Sequence, residues 1–106
     1  MADDAEQLSM VVERQGGRAL VRLRGELDIA TAPMLANALN NASSEFVVDL
    51  ADVTFLDASG LDALADASAR AERDGNHLAV INADSFTQRI FELTGLDHLL
   101  SGSDAL

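Results

Sequence analysis

The feature that most restricts how this chain can fold is a repeated change in the spacing of its apolar residues. "FVVDL" (46–50) is a short, continuous apolar run rich in β-branched side chains, as suits a central strand covered on both faces. Helical spacing flanks it on both sides. Upstream, Leu35, Ala38, Leu39 and Ala42 recur at helical intervals behind Thr31, which can cap, and Pro33, which has no N–H to lose in a first turn. Downstream, from Gly60 to about Arg73, Leu61, Leu64, Ala65, Ser68 and Ala71 line one face while Asp62, Asp66, Arg70 and Arg73 face out, and Asp74-Gly75-Asn76 ends the pattern.

The remaining segments extend this alternation. "LSMVVER" and "ALVRLRGEL" flank Gln15-Gly16-Gly17 and read as a β-hairpin, with Ala19, Val21 and Leu23 on a buried face and Leu20, Arg22 and Arg24 on a partly wet one. "VTFL" (53–56) continues the path of the central strand, and "HLAVINA" (77–83) reads as another inner strand. Asp84 or Ser85 then caps "SFTQRIFEL", Ser85 and Gln88 have capping-box spacing, Phe86, Ile90, Phe91 and Leu93 form the expected buried stripe, and Gly95 closes the helix.

The order is therefore hairpin, helix, strand, helix, strand, helix. Helical crossovers between strands require a mostly parallel sheet, with the hairpin as its antiparallel edge. The 106 residues make one α/β domain, 1–106, with a core over about 8–100 and flexible tails expected at 1–7 and 101–106.

Composition removes several functions. There is no cysteine, and His77 and His98 are too few and too far apart for a zinc signature, so no metal is expected. All seven bases are arginines, so no lysine can sit in a P-loop, form a Schiff base or assist an aspartyl-phosphate site. No apolar run approaches the roughly twenty residues that span a bilayer. "MADDAEQ" is acidic where a signal peptide would be basic, which predicts a cytoplasmic protein. A formal net charge of −11 repels phosphate backbones and anionic lipid, so neither nucleic acid nor membrane is an expected partner. No Gly-rich loop follows a strand, and no cofactor is expected.

One short stretch asks for more than a fold. In "FLDASGLDAL" (55–64) the hydroxyl of Ser59 stands between Ala58 and Gly60 where a helix begins. Ser59-Gly60-Leu61-Asp62 fits a relaxed capping pattern, in which the serine accepts a backbone N–H. The same place suits a phosphoryl acceptor, since free N–H groups and the positive end of the helix dipole meet any anion there. Asp57 reads equally as a turn or cap residue. A serine hydrolase does not fit: Asp57 stands where a nucleophile elbow needs glycine, and neither histidine is placed as a base.

"GELD" (25–28), the helix starting near Thr31, "FVVDLADVTFLDASGLDAL" (46–64) and "FELTGL" (91–96) together resemble the STAS domain, in particular the anti-sigma factor antagonists, over residues 8 to 100. The resemblance implies a sheet of four or five strands with three to four helices mainly on one side, and a regulator without enzymatic activity. It further implies that Ser59 is phosphorylated by an anti-sigma factor that is also an ATP-dependent serine kinase, that the unphosphorylated form binds that partner and frees the sigma factor, and that a serine phosphatase resets the cycle. Carried over, Ser59 is the acceptor, while Asp57, Ala58 and Gly60 shape the loop that meets the kinase. Asp28 lies on the neighbouring loop, and Leu61 and Asp62 border the contact. Ala58 departs from the commonest family pattern, where a second serine often stands. Two other uses of the same fold are a non-phosphorylated interaction subunit of a signalling or transport complex, and a small-molecule receptor at the carboxyl ends of the strands.

Overall fold

A computed structural model describes residues 7–40 and 45–101. The chain runs β1 (Leu8–Gln15), β2 (Arg18–Leu27), α1 (Ala32–Leu39), β3 (Glu45–Leu56), α2 (Ala58–Arg73), β4 (Leu78–Ile81), α3 (Ser85–Leu93) and a 3-10 turn (Asp97–Leu99). The four strands lie in the order β1-β2-β3-β4, the first pair antiparallel and the others parallel. This is the mixed sheet that the alternating periods require. Gly16, at φ +61, lets the hairpin turn between the Gln15–Arg18 pair. Among the described residues, a fifth strand is represented only by a parallel bridge from Val80 to Leu100.

The core lies on one face of the sheet. Ala19, Val21, Leu23 and Leu27 of β2, Phe46, Val48 and Leu50 of β3, and Leu78 and Val80 of β4 meet Leu35 and Leu39 of α1, Leu61, Leu64 and Ala67 of α2, Phe91 of α3 and Leu99. Val47, Ala79 and Ile81 are also buried but stand at the alternate positions, outside that cluster. The central run is thus covered on both faces, as its continuous hydrophobicity implied.

Several boundaries differ from the sequence reading. "FVVDL" and "VTFL" are one twelve-residue strand whose register with β2 shifts between Arg22 and Arg24 and between Gly25 and Glu26. Such bulges let the strand run on through the polar Ala51-Asp52 step. The last inner strand is shorter than residues 77–83, because Asn82 adopts φ +62 and turns the chain out of the sheet. Ser101 is tied down, its N–H donating to the Val80 carbonyl at 2.8 Å. Ala42, and residues 1–6 and 102–106 of the tails expected at 1–7 and 101–106, lie outside the described residues.

The largest correction concerns α3. Of its expected stripe only Phe91 is fully buried; Ile90 is half-buried, and Phe86 and Leu93 are 73% and 72% exposed. The helix follows β4 at the end of the sheet, where one narrow side of it finds cover. Its cap is Asp84, which accepts from the Thr87 N–H at 2.8 Å. Gln88 reaches back to the Ala83 carbonyl instead of forming a capping box with Ser85.

Candidate functional site at the start of α2

Because β2 and β3 are parallel neighbours, their carboxyl ends release two loops side by side. Leu27 pairs with Leu56, so residues 28–31 and residues 57–59 leave the sheet together. The site is made of these two loops and the first turn of α2.

Asp57, and not Ser59, caps α2. Its backbone is extended (φ −118, ψ −172), and Oδ1 accepts from the N–H groups of Ser59 at 2.9 Å and Gly60 at 3.2 Å. The helix therefore begins at Ala58, two residues before the sequence reading placed it. Ser59 sits in the first turn, half-buried, and its Oγ makes no hydrogen bond with any described residue. The capping reading of Ser59 is overturned by position: a cap must precede the N–H groups it satisfies, and Asp57 holds that place.

The turn is fastened to β2 from behind. The Asp57 N–H donates to the Leu27 carbonyl at 3.2 Å. Gly60 is buried against the same residue, so close that a Cβ there would stand 2.8 Å from Leu27 Cγ and 3.0 Å from its carbonyl oxygen. Gly60 is thus required for the approach of helix to strand. Leu61, 6% exposed, belongs to the core. These two residues lie behind the surface, because helical periodicity turns positions 60, 61 and 64 inward together, while Asp62, expected with Leu61 to border the contact, is exposed.

Asp28 organises the neighbouring loop. Its Oδ1 accepts from the N–H groups of Ala30 at 3.0 Å and Thr31 at 3.1 Å. Thr31, buried at the entrance to α1, donates its hydroxyl to the Glu26 carbonyl at 2.8 Å and accepts the Asp28 N–H at 2.9 Å. Thr31 makes no side-chain cap of α1; the hydroxyl closes the loop on itself. The sequence reading missed this positioning role, for which the spacing Asp28-x-x-Thr31 was the available signal.

At this site one carboxylate oxygen each of half-buried Asp28 and Asp57, and the hydroxyl of half-buried Ser59, have no hydrogen-bond partner among the described residues, and Ala58 and Asp62 are exposed. Ile29 in the adjoining loop is 77% exposed. Among the described residues no three His, Cys, Asp or Glu side chains cluster so as to hold a metal, and no helix is long and apolar enough to cross a membrane.

The family profile described as "Mlab, STAS domain" matches residues 10–101. The anti-sigma-F factor antagonist RsfB of Mycobacterium tuberculosis is 32% identical over 98 residues, covering 87% of this chain and 78% of that protein. A crystal structure of an anti-sigma factor antagonist from Mycobacterium paratuberculosis is similar with a TM-score of 0.76 at 30% identity, covering 90% of this chain and 84% of that one. The Bacillus cell fate determinant SpoIIAA in its phosphorylated form shares the fold alone, with a TM-score of 0.75 at 17% identity over 90% of this chain and 91% of that one.

Proposed function

This chain belongs to the STAS-domain family, among its anti-sigma factor antagonists, and on that premise we propose that it is a phosphorylation-controlled antagonist whose switch is Ser59. In the unphosphorylated state it binds an anti-sigma factor through the surface carrying Asp28, Asp57, Ala58 and Asp62, and the sigma factor goes free. The same partner, acting as a serine kinase with ATP, transfers the γ-phosphoryl group to Ser59 Oγ. ADP leaves, and the hydroxyl proton passes to a base on the kinase. A serine phosphatase restores the hydroxyl by hydrolysis. The chain supplies the substrate and catalyses nothing itself, and it works in the cytoplasm.

The observation that carries this reading is the division of labour at the helix start. Asp57 satisfies the N–H groups of Ser59 and Gly60, so the serine hydroxyl has no structural task and is free to be modified. SpoIIAA, a protein of the same fold, has been solved in a phosphorylated form, which fits a modification that leaves such a fold standing.

Electrostatics supplies the switch. Phosphorylation adds about −1.5 to −2 charge beside Asp28, Asp57 and Asp62, and the first arginine in sequence on either side of Ser59 is Arg70 downstream and Arg24 upstream. Burying that dianion unpaired in an interface costs roughly 3 kcal/mol or more, about two decades in affinity. No refolding is needed.

The test pairs intact mass with binding. Incubation with the cognate kinase and ATP should add one phosphoryl group, lost in Ser59→Ala, and Ser59→Asp should bind the anti-sigma factor about a hundredfold more weakly at an unchanged unfolding midpoint. Wild-type affinity in Ser59→Asp, or no phosphoryl addition, would leave the domain as a non-phosphorylated interaction subunit.

A further inference from the structure

β3 outlasts its neighbour. It runs to Leu56, but its pairing with β4 stops at Asp49–Ile81. Asp49 marks the stop: its Oδ1 accepts from the Ala51 N–H at 2.9 Å and from Asn82 Nδ2 at 3.0 Å, where positive φ at Asn82 carries the chain away. Among the described residues no backbone hydrogen bond reaches residues 53–56 from the β4 side, while β2 pairs with them on the other.

A groove of about 260 Å³ lies along this overhang, lined by Val53, Thr54, Phe55 and Leu56 on one side and by Asp84, Phe86, Thr87 and Ile90 on the other. Thr54 bulges out of the ladder with β2, between the Gly25–Val53 and Glu26–Phe55 pairs, and the β4 ladder has already ended at Asp49–Ile81, so the groove runs beside the strand's unpaired edge. The groove is therefore a slot between an unpaired strand edge and the first turn of α3. Its two aromatic walls, Phe55 and Phe86, are 51% and 73% exposed. Edges of this kind are ordinarily covered or blunted, and an uncovered one is a template for another strand.

We infer that this slot is a second docking site, which takes an extended segment of a partner protein as an added strand beside residues 53–56, with apolar side chains alternating with arginine or lysine. The open edge dictates the extended form, and the phenylalanines dictate the apolar positions. Charge dictates the rest: Asp84 lies on the far wall, Asp52 and Asp57 flank residues 53–56 in sequence, and among the described residues no base lines the groove. Two copies of this chain, each with a net charge of −11, would bring those carboxylates face to face, which disfavours self-pairing through this edge. The site does not depend on Ser59, so it stands or falls apart from the phosphorylation switch.

The probe is a blocked octapeptide of alternating valine and arginine, titrated into the isotopically labelled full chain while backbone amide resonances are followed. Saturable shifts should concentrate at residues 53–56 and 84–90. Phe55→Ala and Phe86→Ala, both at exposed positions, should each weaken binding about tenfold without moving the thermal midpoint. The same peptide N-methylated at alternate residues keeps its charge but cannot complete a ladder, and should lose at least tenfold. The inference is overturned by any of four results: equal binding of the N-methylated peptide, shifts centred on residues 8–15, dimerisation of the chain in place of binding, or no saturable shift at millimolar peptide.

Discussion

Gly60 and Leu27 are in van der Waals contact across the joint between α2 and β2, so tightly that the smallest added side chain would overlap Leu27 Cγ, at 2.8 Å. Leu27 is fully buried, and its carbonyl also holds the Asp57 N–H, so neither side of the joint can give way cheaply. The position of the open serine one residue earlier is a consequence of this contact.

Gly60→Ala gains up to about 1 kcal/mol of helix propensity but forces overpacking against a fixed strand, which costs about 1–3 kcal/mol. Net destabilisation of up to roughly 3 kcal/mol is expected in urea unfolding. Amide shifts should spread through residues 57–61 and into the 28–31 loop. A more stable Gly60→Ala variant would show that the joint has room for a methyl group.

Asp57 and Ser59 should separate in stability measurements. Asp57→Ala strands two N–H groups and should cost about 1–2 kcal/mol. Ser59→Ala removes a hydroxyl with no partner and should stay within about 0.5 kcal/mol of wild type. The opposite ranking would return the capping role to the serine.

Thr31→Val keeps the shape of a buried side chain and deletes its hydroxyl. The Glu26 carbonyl and the Asp28 N–H both lose their partner, at an expected cost of about 1–3 kcal/mol. Thermal unfolding gives the cost. If the 28–31 loop contributes to partner binding, affinity for the anti-sigma factor should fall further than stability alone explains.

Asp84 gives a pH signature. The Thr87 backbone N–H, followed by the Thr87 side chain, holds its carboxyl below the usual 3.8. A lowered folded value means that the carboxylate's contribution is complete above the unfolded value, and fades as pH falls through the folded one. Asp84→Asn, which can keep the cap, should flatten the acid limb of stability below about pH 4 and leave neutral pH nearly untouched. An unchanged acid limb would assign the effect to other carboxylates.

Much of this molecule was decided along the chain. The change from period two to helical spacing and back specifies strand, helix and order, because a strand and a helix bury different subsets of the same residues. Connection lengths then leave little choice but a parallel sheet with a hairpin edge. The local sequence also contained both candidate caps, Asp57 and Ser59, two residues apart. Choosing between them required Leu27, distant in sequence, whose carbonyl holds the Asp57 N–H and so sets where strand stops and helix starts. In α3, periodicity said which residues share a face but not how wide a cover that face would find. Phe86 stayed in solvent because β4 ends at Ile81 while β3 continues to Leu56. Which side chains recur together is a local property of the backbone's own period; which hydroxyl stays free and which strand edge stays open depend on contacts between distant segments, and only the tertiary structure decides those.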